Sequence, residues 1–267
     1  MAISGGRLEG ARIYDLSHVL EPDMPQSADH RPFRTVLTKR HGDVVRSDGG
    51  SAASDMVIMG THSGTHIDAL CHVSQGGRLF DGIDAHQAQQ HGSFSRLGIE
   101  TVPPILCRGV LLDVASYVGV PTLAAGYIVT ADDLKRTADA QVTEIRRGDA
   151  VCIRTGWSVY WNEPQAYLGV ASGVPGPDAD AAHWLCSQQV RLVGSDTFAF
   201  EVIPASGLRT LPAHRVLLVE HGVYICENMH LETIATDKVY DFTFFAAPLK
   251  LRGATGSPVR PVALKEP

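Results

Sequence analysis

The chain has 267 residues, of which 44% are hydrophobic and 19% charged, and its formal net charge is −6 at pH 7. This length and apolar fraction fit a globular protein with a substantial core and exclude a disordered or fibrous chain. No apolar run approaches the roughly 20 residues that span a bilayer, and no basic patch suggests nucleic acid. We therefore expect neither a membrane nor a nucleic acid as a partner.

Short strand-like runs recur along the chain, and several are nearly continuously apolar, as strands covered on both faces would be. Eight strands are predicted, over 12–16, 33–38, 56–61, 105–114, 150–155, 190–194, 223–226 and 240–251. Three helices are predicted, over 130–140, 178–189 and 212–221, and a capping-box pattern opens the first of them. The Gly- and Pro-rich segments 169–177 and 253–261 are predicted to be ordered loops.

The order of these elements indicates the fold class. Strands outnumber helices and do not alternate with them regularly, which argues against a doubly wound nucleotide-binding sheet. We predict a mixed α/β barrel or sandwich with helices packed outside, in a single domain over residues 1–267. Phosphate-loop, G-x-G-x-x-G, G-x-S-x-G and H-E-x-x-H motifs are all absent from the sequence, which excludes several common enzyme mechanisms.

The five cysteines are far apart and contain no C-x-x-C pair, which excludes the usual zinc-ribbon and redox motifs. Several lie in apolar stretches, where cysteine serves as a small buried hydrophobic residue. A reducing cytoplasm is therefore predicted, and residues 1–14 lack the continuous apolar stretch of a secretory signal. Because Cys71 adjoins His72, a nucleophilic cysteine stays open as an alternative.

The most informative segment is the stretch from His62 to His72, which holds three of the 12 histidines and one aspartate. An even spread would place about 0.5 histidine in a window of this length. His66 and Asp68 are two residues apart and point to the same side of an extended chain, and Gly64 lets the backbone fold before them. Two imidazoles and a carboxylate suit zinc, manganese or iron.

The segment therefore predicts a catalytic metal site formed by His62, His66 and Asp68, with positions left open for water. His72 lies four residues beyond the aspartate and is the predicted general base or proton shuttle. Two histidines four residues apart also occur by chance, so the metal prediction depends on all four residues in this order.

The pattern His-x-Gly-Thr-His-x-Asp-x-x-x-His at 62–72 resembles the signature of the cyclase-like metal-dependent hydrolases, a family that includes bacterial kynurenine formamidase and isatin hydrolase. The signature usually has a proline at the position of Leu70. The resemblance covers nearly the whole chain, through segments at 14–17, 110–113, 148–157, 194–197, 214–228 and 247–261. It implies a compact α/β fold around a barrel-like mixed sheet, assembled as a homodimer or homotetramer.

For the metal site, the resemblance implies that His62, His66 and Asp68 bind the first of one or two divalent ions, Mn²⁺ or Zn²⁺. His72 resembles the catalytic acid/base of the family. This would make the chain a hydrolase in which a metal-activated water attacks a carbonyl group.

Further along, the segment 214–228 is similar to the stretch that supplies another histidine and glutamate in the family. This implies His214 and Glu227 as additional ligands, with Glu227 and Asp68 bridging two ions. Glu220 and His221 are the competing positions close to His214.

The substrate is predicted to be a small molecule with an amide bond, with a cyclic amide of the isatin type as the first choice. Kynurenine formamidase members typically carry a tryptophan in an early segment, and the corresponding residues 22–27 have none. Arylformamidase activity, a metal-dependent lyase or dehydratase, and a non-catalytic metal-binding protein are the alternatives. Phe80 and Phe198 are predicted to contact a flat substrate and Arg260 to bind a carboxylate, with core packing and surface charge as the respective alternatives.

Overall fold

The structure, a computed structural model, describes residues 10–207 and 210–266. Residues 1–9, in which no secretory signal is predicted, lie outside these ranges. Among the described residues, no helix combines the length and the apolar character that a membrane crossing requires.

A nine-stranded mixed sheet, curled into a half-barrel, forms the centre of the fold. The strands of the described residues are, in chain order, β1 (Arg12–Asp15), β2 (Arg34–Lys39), β3 (Ser54–Ile58), β4 (His66–Asp68), β5 (Gln89–Gln90), β6 (Ser93–Phe94), β7 (Ile105–Asp113), β8 (Ile128–Val129), β9 (Ala150–Arg154), β10 (Gly176–Pro177), β11 (Leu192–Ser195), β12 (Tyr224–Glu227), β13 (Asp241–Ala246), β14 (Gly256–Pro258) and β15 (Val262–Lys265). The order in the large sheet is β1-β15-β13-β7-β9-β11-β12-β4-β14. The pairs from β7 to β12 are parallel and the outer pairs antiparallel.

The central strands are buried on both faces, as their continuous apolar runs predict. Side chains alternate between two cores, so that Val151 and Ile153 of β9 pack in one core while Cys152 packs in the other. Because these strands are buried on both faces, polar side chains can lie close together only at the ends of the strands.

Helices pack against both cores. Those of the described residues are α1 (Ala85–Ala88), α2 (Val114–Val118), α3 (Ala131–Ala140), α4 (Pro164–Tyr167), α5 (Ala179–Ser187), α6 (Pro212–His214) and α7 (Glu232–Thr236), with 3₁₀ turns at Phe80–Gly82, Ile99–Thr101 and Trp157–Tyr160. α3 and α5 cover the core that contains Val151 and Ile153, and the shorter α1 and α7 pack in the core that contains Cys152. The predicted capping box opens α3: the Asp133 backbone N–H donates to Thr130 Oγ1 at 3.1 Å, and the Thr130 N–H donates to the Asp133 carboxylate at 2.9 Å. The mixed α/β class with helices outside a barrel-like sheet is confirmed.

Predicted helices and loops differ from the structure at three places. The segment 169–177, predicted to be a loop, ends in β10, which pairs with β8. The helix predicted over 212–221 consists of α6 followed directly by a π-helix, Arg215–His221, and this wider winding changes which residues share a face. The segment 253–261, predicted to be a loop, contains β14. Its Gly-Ser-Pro sequence has no strand propensity, and its strand form depends on pairing with β4.

Candidate metal centre

Strand β4 brings two of the predicted ligands to one place. His66 and Asp68 lie on the same face of this three-residue strand, while Ile67 between them points into the hydrophobic core. β4 lies between β12 and β14, and His66 is paired directly with Glu227 at the end of β12. The sheet therefore places His66, Asp68 and Glu227 side by side.

The Asp68 carboxylate is the centre of the cluster. Its Oδ1 lies 2.7 Å from His62 Nδ1 and 3.5 Å from His66 Nε2, and its Oδ2 lies 3.5 Å from His214 Nε2. Glu227 closes the other side, with Oε2 at 3.3 Å from His66 Nε2 and Oε1 at 3.2 Å from His214 Nε2. All five residues predicted as metal ligands are thus brought together.

The donor atoms of this cluster fit a cation. His66, Asp68, His214 and Glu227 are buried. Within the described residues, His66 Nε2 and Asp68 Oδ2 have no hydrogen-bond partner. Buried polar atoms are nearly always paired, because leaving them unpaired costs free energy. A divalent cation would satisfy both atoms, and imidazole nitrogens with carboxylate oxygens are the ligands that zinc and manganese accept.

Both carboxyl groups stay ionised in this environment. Burial alone would raise the pKa of Asp68, but the imidazoles of His72 and His62 hold it well below its usual range. Burial opposes ionisation of Glu227 as well, and the adjacent imidazoles of His214 and His66 nevertheless lower its pKa to about 2. The centre therefore offers two negative charges to a cation.

Neighbouring groups orient the two buried histidines. His66 Nδ1 donates to the backbone carbonyl of Gly64 at 2.8 Å, which leaves the Nε2 lone pair facing Asp68 and Glu227. His214 Nδ1 donates in the same way to the buried carboxylate of Glu201. Metal-binding histidines commonly have such a partner on the second nitrogen. This role for Glu201 is not predicted from the sequence. The residue lies 13 positions before His214, and no local sequence pattern indicates a contact at that separation.

Replacing Glu201 by Gln is expected to weaken metal binding by about 10- to 100-fold, since His214 loses a charged hydrogen-bond acceptor. Competition with a chromophoric chelator measures this affinity. Glu220→Gln is the matched control, because Glu220 is exposed near the end of the same helical segment. Equal affinities for the two variants would contradict the role of Glu201.

His72 lies beside the cluster. Its ring stacks on that of His62 with centroids 3.9 Å apart. One of its ring nitrogens lies within 4.8 Å of a ligand atom of His62 and of a carboxylate oxygen of Asp68. Burial lowers the pKa of His72 to about 3, so its imidazole is neutral at pH 7. A neutral imidazole in this position can accept a proton or bind a metal.

The competing residues lie outside the centre. Glu220 and His221 form a separate exposed group with His183 on the surface of the helices. Cys71 is buried, and burial raises the pKa of its thiol to about 12, which keeps it protonated and unsuited to nucleophilic attack.

The three residues predicted to contact substrate have other neighbours. Phe80 packs against the turn at Gly222, where an added Cβ would lie 2.7 Å from the phenyl ring. Phe198 packs in a small aromatic cluster around Trp157 and Tyr167. The Arg260 guanidinium donates two hydrogen bonds, of 2.9 and 2.7 Å, to Asp15 on the surface. Their contacts with substrate stay predictions.

Comparison with known proteins decides the family. A family model described as "Putative cyclase" matches residues 14–202, more than two thirds of the chain. The chain therefore belongs to the putative cyclase family. This cyclase-family chain is also similar to the crystal structure of a novel cyclase, with 30% sequence identity, a TM-score of 0.85, and coverage of 96% of this chain and 89% of the other.

Relatives of this cyclase-family chain include hydrolases. An isatin hydrolase from Roseibium aggregatum is 28% identical over 223 residues, which cover 82% of this chain and 77% of that protein. A kynurenine formamidase from Bacillus thuringiensis subsp. konkukian is 26% identical over 250 residues, 93% of this chain and 95% of that protein. The crystal structure of an isatin hydrolase bound to the product analogue thioisatinate has 25% identity and a TM-score of 0.71, and the match covers 97% of this chain and 94% of the other.

Proposed function

We propose that this protein is a metal-dependent amide hydrolase whose substrate is a cyclic amide of the isatin type. The observation that carries the proposal is the buried cluster around Asp68 and Glu227, in which two ligand atoms have no hydrogen-bond partner among the residues that the structure describes. The similarity to isatin hydrolase supports the choice of a cyclic amide.

His62, His66, Asp68, His214 and Glu227 would hold one or two ions of Mn²⁺ or Zn²⁺. The two oxygens of Asp68 face different histidines, Oδ1 toward His62 and Oδ2 toward His214, so this carboxylate could contribute to either ion. A bound cation of this kind polarises a carbonyl oxygen and lowers the pKa of a coordinated water toward about 7.

The protein's own groups supply the proton transfers. His72 is held beside the centre by stacking on His62, and its neutral imidazole accepts a proton as water adds to the amide carbon. The same imidazole then donates that proton to the leaving nitrogen as the C–N bond breaks. A lactam is opened in this way to an amine and a carboxylate within one product.

Arylformamidase activity is the second candidate, since the kynurenine formamidase match extends over almost the full length of both proteins. The segment 22–27 distinguishes the two activities. Met24 in this segment lies against the metal-binding loop, where its sulfur would be 3.5 Å from a Cβ added to Gly64. This segment has no tryptophan, the residue that is typical of the formamidases at this place, and this favours the lactam.

A panel of isatin, N-formylkynurenine and small lactams, each tested with Mn²⁺ and with Zn²⁺, examines the proposal. We expect isatin to be opened with one oxygen atom taken from ¹⁸O-labelled water. Formation of product without ¹⁸O would indicate a lyase or dehydratase. Metal binding without turnover of any substrate would leave only a metal-binding protein.

A second copy of the chain is proposed as partner because the hairpin β2–β3 is exposed on both faces. It pairs with no other strand of the described residues. Seven large apolar side chains of this hairpin and its turn are 47–61% exposed: Val36, Leu37, Val44, Val45, Met56, Val57 and Ile58. Val36, Met56 and Ile58 share one face of the hairpin, and a second copy that packed on this face would remove them from water.

Met56→Glu combined with Ile58→Glu is expected to convert a dimer into monomers, or a tetramer into a smaller assembly, because both side chains lie on one face of the hairpin with Val36. Light scattering during gel filtration measures the mass. Val142→Glu is the control, since Val142 is an exposed apolar residue outside the hairpin. A monomeric wild-type chain, or a double variant with unchanged mass, would contradict this assignment.

The cytoplasm is the proposed compartment. All five cysteines are free thiols, and four of them are buried. Unpaired cysteines are typical of proteins in a reducing environment.

A further inference from the structure

Thr255 contacts a predicted metal ligand from the far end of the chain. Its Oγ1 lies 2.9 Å from His62 Nε2, while the other ring nitrogen of His62, Nδ1, lies 2.7 Å from Asp68 Oδ1. The imidazole is therefore held between a carboxylate of the metal centre and a hydroxyl group 193 residues away in sequence.

Backbone contacts fix the position of this hydroxyl. The Ala69 N–H donates to the Thr255 carbonyl at 2.9 Å, and the next residue, Gly256, pairs with Asp68 between β14 and β4. A Cβ on Gly256 would lie only 2.6 Å from His62 Cε1, so glycine is needed for the ring to occupy this place. The segment that carries Thr255 is thus shaped around the His62 ring.

The hydrogen bond has a consequence for the protonation of His62. A neutral imidazole carries one N–H, and a nitrogen that binds a metal must offer its lone pair. If Nδ1 gives its lone pair to a cation shared with Asp68, the proton must be on Nε2, where Thr255 Oγ1 can accept it. His66 and His214 are fixed in a comparable way through the other ring nitrogen, since their Nδ1 atoms face the Gly64 carbonyl and the Glu201 carboxylate.

We propose that Thr255 is a positioning residue that fixes His62 in the Nε2-protonated form and thereby sets the affinity of the metal centre on the Asp68 Oδ1 side. This inference rests on the proposed function, since it assumes that His62 binds the cation. Thr255 acts through His62 and is not itself a ligand.

Two substitutions at this position test the proposal. Thr255→Val keeps the shape and removes the hydroxyl, and it is expected to weaken Zn²⁺ or Mn²⁺ binding by about 10- to 100-fold. Thr255→Ser keeps the hydroxyl and is expected to retain wild-type affinity within about threefold. Chelator competition measures both affinities. Thr61→Val is the matched control, because Thr61 adjoins His62 in sequence and its hydroxyl makes no hydrogen bond with the ring.

The state of His62 can be observed directly. In the Zn²⁺-loaded protein, ¹⁵N-resolved imidazole spectra are expected to show a protonated Nε2 for His62, with a changed Nε2 signal in Thr255→Val and a near-native one in Thr255→Ser. Thermal unfolding of the metal-free variants separates lost affinity from lost folding, because a positioning role predicts nearly unchanged melting temperatures.

The possible outcomes are distinct. If the wild type binds metal and Thr255→Val binds it equally well, or if Val and Ser variants weaken binding equally, the role of Thr255 is wrong and the proposed function stands. A wild-type protein that binds no divalent cation overturns both. Selective loss of affinity in Thr255→Val supports the role of Thr255 whichever amide proves to be the substrate.

Discussion

Replacing Asp68 by Asn is expected to remove both bound metal and hydrolysis. Asp68 is fully buried, and its two oxygens face three different histidines, so the neutral amide cannot supply the charge that a cation requires. The loss of metal affinity should exceed the roughly 10- to 100-fold effect of losing an outer-shell partner. Elemental analysis of the purified variant, together with its kcat/KM on isatin, checks this expectation.

Asparagine has nearly the same shape as aspartate, so Asp68→Asn keeps the packing of the centre. A loss of metal can then be attributed to the lost charge. Circular dichroism and the melting temperature of the metal-free variant serve as controls for folding. Asp68→Asn protein that retains stoichiometric metal and full turnover would show that the cluster around Asp68 is not the catalytic centre.

Replacing His72 by Asn is expected to have the opposite pattern, with metal retained and kcat lowered by about 10²- to 10⁴-fold, the usual contribution of a general acid/base. The reason is the position of His72 beside the ligands, where its ring stacks on His62. Metal analysis and steady-state kinetics on the same preparation provide both measurements. The exposed His86→Asn variant is a control for the loss of a histidine elsewhere.

Two results would revise this role. An unchanged kcat in His72→Asn would make His72 a structural residue. Loss of metal would make His72 a ligand, which its closeness to the ligand atoms of His62 and Asp68 permits. Comparison of metal content and kcat in Asp68→Asn and His72→Asn therefore distinguishes a residue that binds the cation from a residue that transfers the proton.

The metal ligands that could be predicted from their spacing are those that lie close together in sequence. His62, His66 and Asp68 lie within seven residues, so their spacing carries information about a shared loop and strand. The buried central strands were equally predictable, because a strand covered on both faces must be apolar along its whole length. In both cases the determining interactions are close in sequence.

The remaining features depend on contacts between distant segments. Strand β14 has a sequence typical of a turn and becomes extended by pairing with β4. Glu201 orients His214 across a bend of the chain, and Thr255 reaches His62 from beyond the last helix. The hydrophobic periodicity of one segment does not indicate which distant residue its side chains contact. These contacts could therefore be assigned only from the fold.

The position of β4 between β12 and β14 also has a consequence for how the protein is made. Ribosomal synthesis delivers His62, His66 and Asp68 well before Glu227, and Thr255 follows His62 by 193 residues. A nascent chain therefore exposes an incomplete set of donors until β12 and β14 have been synthesised. Loading with the cation is expected to follow the pairing of β4 with these two strands.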